Sequence, residues 1–124
     1  MTTKKQQQQE QQAQDMIAQC YQDGKMTING RDYEFAKFNH GERVQVFSYY
    51  SRIQHLLPMG NYSFLTDEEY KRIEKMVSDK ILFNGVQLSK QPTHWETYPE
   101  DYLQFAVACL GVISYPFFHA SPTA

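Results

Sequence analysis

Between Tyr102 and Ile113 nearly every residue is apolar, with Leu103, Phe105, Ala106, Val107, Ala108, Cys109, Leu110, Val112 and Ile113 wrapping all sides of a helix. A helix without a polar face must be buried all round, either as the central helix of one domain or against a second chain. The run is shorter than the roughly 18 apolar residues a bilayer span needs. It therefore predicts a soluble core rather than a membrane anchor. Thr97 or Tyr98 would cap the helix, Pro99 fits its first turn with Glu100 and Asp101 behind, and Pro116 would end it.

Two more helices supply the apolar stripes to surround this one. Val46, Tyr50, Ile53 and Leu57, broadened by Phe47 and Tyr49, predict a helix over 41–57 stopped by Pro58. Thr66-Asp67-Glu68-Glu69 has capping-box spacing and opens a helix whose apolar side is Tyr70, Ile73, Met76, Val77 and Ile81. Lys71, Arg72, Glu74 and Lys75 read as its solvated face. Asn29-Gly30 and Asn84-Gly85 each sit between short apolar runs, and Asn-Gly accepts the two positive φ angles of a type I′ turn. One or two β-hairpins follow, each needing helices or the other hairpin to cover it. In the first, alternation puts Tyr33 and Phe35 on one face and Asp32 and Glu34 on the other. The expected fold is α+β, mainly α-helical, with three principal helices.

Nine of the first 22 residues are Gln, with Met16, Ile17 and Tyr21 the sizeable apolar groups. Such a tract buries too little to offset its ordering entropy alone. Met16, Ile17, Cys20 and Tyr21 form a narrow helical stripe, so 5–21 reads as a conditional helix stopped near Asp23-Gly24. It is either a solvated extension or a helix that docks on a partner or sister subunit. The expected division is a Gln-rich extension over 1–25, one globular domain over 26–118, and a tail over 119–124.

No pattern of a chemical site emerges. His40, His55, His94 and His119 show no metal-ligand spacing, and there is no phosphate loop or nucleophile elbow. No catalytic, cofactor-binding or metal-binding residue is expected. Two cysteines, Cys20 and Cys109, are too few for a disulfide framework and suit a reduced compartment. His94-Trp95-Glu96 lies in an irregular connector over 89–99, and reads as Trp95 plugging a gap with His94 and Glu96 at the rim. Aromatics interleave with Arg43, Arg52, Lys71, Arg72 and Lys75 as in single-strand binders, but a net charge of −2 argues against nucleic acid.

Asn29-Gly30-Arg31-Asp32-Tyr33-Glu34-Phe35, the stretch Glu42 to Ile53 with Phe47-Ser48-Tyr49-Tyr50, and Lys90 to Pro116 with His94-Trp95-Glu96, Pro99-Glu100-Asp101-Tyr102 and Ile113-Ser114-Tyr115-Pro116-Phe117 resemble tail assembly chaperones of long-tailed bacteriophages. The resemblance covers about residues 26–118 and leaves the Gln-rich segment outside. It implies a small, largely helical protein in the cytoplasm of the infected host, absent from the mature virion. Its partners would be the tape-measure protein and tail-tube subunits. An aromatic content of 15% suits a holdase that presents apolar surface to varied partners. A different class, a phage structural subunit or a small inhibitor gripping one rigid partner, fits the same composition. The first two helices offer one stripe each, so part of Leu103, Phe105, Val107, Leu110 and Val112 is expected to meet another chain, a client or a sister copy in a homo-oligomer.

Overall fold

A computed structural model describes residues 15–118. The described residues open on helix α1 over 15–23, which passes through Gly24 into strand β1 (Lys25–Ile28). Gly24 takes φ 68°, the expected left-handed stop, and its amide donates to the Cys20 carbonyl at 2.9 Å. Strand β2 (Arg31–Phe35) returns antiparallel through Asn29 and Gly30, whose φ angles are 52° and 79°. Strands β3 (Ile81–Phe83) and β4 (Val86–Gln87) turn likewise on Asn84 and Gly85, at 55° and 78°. Both expected hairpins form, and they join. Tyr33 pairs with Phe83 and Phe35 with Ile81, making one antiparallel sheet in the order β1-β2-β3-β4. Met26, Ile28, Tyr33, Ile81 and Phe83 form its buried face, as alternation requires.

Helix α2 (His40–Ile53) starts on a full capping box, with Asn39 accepting from the Glu42 amide and Glu42 accepting from the Asn39 amide, both at 2.8 Å. Its buried residues are Val46, Tyr49 and Ile53. The expected end at Leu57 is corrected: the α-helix stops at Ile53 and tightens into a 3₁₀ stretch over Gln54–Met59 that contains Pro58. Proline lacks an amide proton but leaves this short tight turn intact, and left-handed Gly60 closes it at φ 71°.

The expected capping box at Thr66 is also corrected. Thr66 belongs to a 3₁₀ turn over Ser63–Thr66 and bonds back to the Ser63 carbonyl. Helix α3 (Glu68–Ser78) has Asp67 at its cap, but that carboxylate accepts from the Tyr49 hydroxyl at 2.8 Å instead of capping its own helix. Glu69 pairs with Arg52, so it is not available to reach back. Tyr70, Ile73 and Val77 are buried, whereas Ile81 belongs to β3. Glu74, read as solvated, accepts from the Tyr102 hydroxyl.

The connector expected to be irregular is instead a series of turns: 3₁₀ at Leu88–Lys90, the short helix α4 (His94–Thr97), and 3₁₀ at Pro99–Asp101 leading into α5 (Tyr102–Phe118). Pro116 does not stop α5. It lies inside the helix, and the Arg43 guanidinium donates to the Ile113 carbonyl at 3.0 Å in the turn that the proline disturbs. With the turn before it, the helical segment Pro99–Phe118 reaches 20 residues, long and apolar enough to span a membrane by length and composition. The expectation that it is too short is therefore corrected, although half of the stretch is buried inside the fold.

The helix is central. Phe105, Ala106, Cys109, Leu110, Gly111, Val112, Ile113 and Ser114 are all buried. Helix α2 packs along it, α3 meets it through Tyr70 and Tyr102, and α1 covers a further side. That last helix is the one the composition placed in the extension. Its Ile17 reaches Gly111 and its Tyr21 stacks on Tyr115 at 4.8 Å, so the contact spans the expected boundary at residue 25. Residues 1–14 and 119–124, with the Gln tract and His119, lie outside the described residues.

The cap of α2 gives a direct check on this assembly. Asn39→Ala removes the acceptor for the Glu42 amide and should cost about 1 kcal/mol. A thermal melt should show a fall of several degrees for a domain of this size.

Candidate functional site

Two places in the fold have the ingredients of a site. One is buried and polar; the other is open and apolar.

The buried place joins the first hairpin to the start of α5. Asp101 is fully buried, and its carboxylate accepts from Asn29 Nδ2 at 2.7 Å, Arg31 Nη1 at 2.9 Å and the Tyr33 hydroxyl at 2.7 Å. Tyr33 has one proton to give and gives it to this carboxylate. Its oxygen therefore accepts from His94 Nε2–H, 2.9 Å away, which sets His94 as the neutral Nε2–H tautomer. Arg31 lies 4.0 Å from the centre of the Tyr98 ring and also pairs with Glu100 at 3.2 Å.

Burial raises the Asp101 carboxyl, but the three donors and the Arg31 charge outweigh it and hold the group below its ordinary range. Burial pulls His94 down, against the attraction of Asp101, and pushes Tyr33 up, with the Asp101 hydrogen bond and charge adding to that rise. The expected arrangement of His94 and Trp95 is reversed. His94 is core, at 5% exposure, while Trp95 is half-buried beside it and only Glu96 is at the surface. Trp95 does fill a gap, with the Phe105, Tyr102 and Tyr33 rings at 4.7, 5.1 and 6.1 Å.

This network is saturated. The Tyr33 oxygen and the Asp101 carboxylate spend their bonds on one another and on their neighbours, so the arrangement is suited to locking two segments together. Among the described residues no three of His, Cys, Asp and Glu stand close enough to hold a metal ion.

The open place is a groove of about 360 Å³ between α1, β1 and α5. Met16 and Ile17 form one wall, Met26 and Ile28 the floor beside it, and Leu103 and Val107 the far wall. Thr27, Tyr62 and Gln104 are its main polar neighbours, and no lining residue carries a charge. A small polar ligand would find few groups to orient it, whereas aliphatic side chains of a protein would find a flexible, methionine-bearing surface.

Of the five residues expected to meet another chain, Leu103 and Val107 reach this groove, with Leu103 39% exposed and Val107 half-buried. Phe105, Leu110 and Val112 are corrected: they are 1%, 1% and 4% exposed, and Phe105 and Leu110 pack into the chain's own core. Val112, although buried, also lines the groove. The reason is that α1 covers a further side of α5 and the two hairpins join into one four-stranded sheet. Met16 and Ile17 belong to the helix for which docking on a partner or sister subunit was one of two readings, whereas Met26 was not among the expected contacts. The stripe Met16-Ile17-Cys20-Tyr21 was the signal for the first two, and alternation in β1 the signal for Met26. Compared with known protein families, curated proteins and solved structures, the chain matches none.

The buried network sets the response to acid. His94 binds a proton less readily folded than unfolded, so stability falls as the pH drops below the unfolded imidazole value of about 6.5. Asp101, depressed in the fold, adds a second loss as the pH falls below about 4. Urea midpoints measured from pH 8 to 5 should decline, and His94→Gln should flatten that decline between pH 7 and 5. Tyr33→Phe should cost about 2–3 kcal/mol, because it strands a buried His94 donor and removes a donor from Asp101.

Proposed function

We propose that this protein is a tail assembly chaperone of the long-tailed-bacteriophage kind. It holds apolar helical segments of the tape-measure protein in solution while tail-tube subunits are recruited. The observation that supports this reading best is the uncharged groove walled by Met16, Ile17, Leu103 and Val107, on a chain whose motifs resemble that family. Methionine and branched aliphatics conform to many apolar shapes, which a holdase of a long and varied client needs.

In this reading the protein makes and breaks no covalent bond, and uses neither cofactor nor nucleic acid. Several copies work along one client in the cytoplasm of the infected cell and leave before the particle is complete. The buried Asp101 network is its internal brace, and the groove its working surface.

Co-expression with a tape-measure protein tests this. The chaperone should keep the client soluble and co-purify with it. Leu103→Glu, placed where the side chain is exposed, should weaken capture about tenfold or more while far-UV circular dichroism stays unchanged. Retention of the protein in purified mature particles, seen by mass spectrometry, would instead mark it as a structural subunit.

A further inference from the structure

Helix α1 is seated on α5 in an unusual way. Ile17 enters a notch at Gly111, where a Cβ would stand 2.9 Å from the Ile17 Cδ1 atom. One turn along both helices, Tyr21 stacks on Tyr115 at 4.8 Å, so the two helices run in register. Yet the seat is incomplete. Met16 remains 57% exposed and Tyr21 39% exposed.

Unfilled space also flanks α1 on both sides. The apolar groove meets it at Met16, Ile17 and Cys20. A second cleft, of about 250 Å³, meets it at Cys20 and Tyr21 and runs to Phe38 and Arg43. The helix leaves the body through Gly24, whose positive φ makes it the natural point for the chain to turn. Over its described residues 15–23 the helix is held to the body by the Ile17 and Tyr21 contacts, and its docking depends on them.

We propose that the Gly111 face of α5 is a docking site for an amphipathic helix, that α1 is its resident occupant, and that a client helix of like pattern enters by displacing α1. Helix α1 itself shows what fits: a helix with apolar residues at i, i+1, i+4 and i+5 and a branched aliphatic side chain for the notch. With α1 out, the groove and the second cleft merge along α5 from Leu103 towards Tyr115. The resident helix thus shields the apolar face between clients, and its high local concentration sets how strongly a client must compete. That this exchange serves client loading rests on the chaperone reading above.

The full chain and a fluorescein-labelled peptide of its own residues 12–24 provide the test. In the chain carrying Ile17→Asp, α1 loses its anchor, and hydrogen exchange should show the amides of 15–23 opening while those of α2 and α5 stay protected. That chain should bind the wild-type peptide at least tenfold more tightly than the wild-type chain, in which the site is filled. If Ile17→Asp does not fold, Ile17→Ser serves the same purpose.

The chain carrying Gly111→Leu separates docking from loosening. Alanine there crowds only the tip of Ile17, which can turn aside, and meets the Tyr50 hydroxyl at an ordinary 3.7 Å, whereas leucine fills the notch. This variant should free α1 yet fail to bind the peptide. Peptide binding no tighter to the Ile17 variant than to wild type, or equal binding to the Ile17 and Gly111 variants, would overturn the proposal. Peptide exchange combined with no gain in capture of a tape-measure fragment would overturn its client-loading role and the chaperone reading, and leave the docking face standing.

Discussion

A carboxylate with no solvent contact is tolerable only where donors replace the water it has lost, and Asp101 has three of them. Two come from the turn of one hairpin and the first residue of its second strand, the third from the tyrosine two residues on. The ion pair with Arg31 is of the kind whose formation adds little net stability but whose breakage leaves a buried charge. Its value is in specificity. This placement of the hairpin against the segment leading into α5 satisfies Asn29, Arg31, Tyr33 and Asp101 together. Everything that touches β2 or α5 inherits that registration, including the groove between β1 and α5.

Around this polar lock the packing is aromatic. Tyr33 lies against Phe83, His94, Trp95 and Phe105 at ring separations between 5.2 and 6.1 Å. One side chain thus contributes to the sheet, the short helix α4 and the central helix, with its hydroxyl tied into the lock. Rigid rings at this end contrast with the methionines and open space at the α1 side. The molecule has a firm end and a yielding one, and the candidate binding surface is on the yielding one.

The parts of this fold that could be read from the chain were those decided locally. Asn29-Gly30 and Asn84-Gly85 specify their turns through backbone geometry that neighbours do little to alter, and the periodicities of α2 and α3 follow from one buried face. Errors arose where a tertiary partner took over a residue with a plausible local role. Asp67 and Glu69 suit a cap but are drawn to Tyr49 and Arg52. Pro116 would end a helix in isolation, yet α5 continues past it, with Arg43 serving the disturbed turn. Asp101 passes for an ordinary acid at a helix start. One signal did point to it: alternation in β2 places Arg31 on the same face as Tyr33, and an inward-facing arginine requires an acid. His94 and Trp95 gave no comparable signal, because a four-residue helix has no period from which to read its inner face. The groove was half legible, through Leu103 and Val107, but its α1 wall depends on a contact between residues about 94 apart in the chain.

The joining of the two hairpins also sets an order of events for the nascent chain. Each hairpin closes through a two-residue turn and can form within microseconds, as can the helical turns of α2 and α3. Pairing β2 with β3 brings Phe35 to Ile81 and encloses the whole of α2 and α3 in one loop, whose closure entropy must be met before the sheet returns any stability. Asp101 cannot be satisfied until α5 arrives later still. The hairpin face carrying Met26, Ile28 and Tyr33 is thus made early and covered late, and during synthesis it waits for the last part of the chain to emerge.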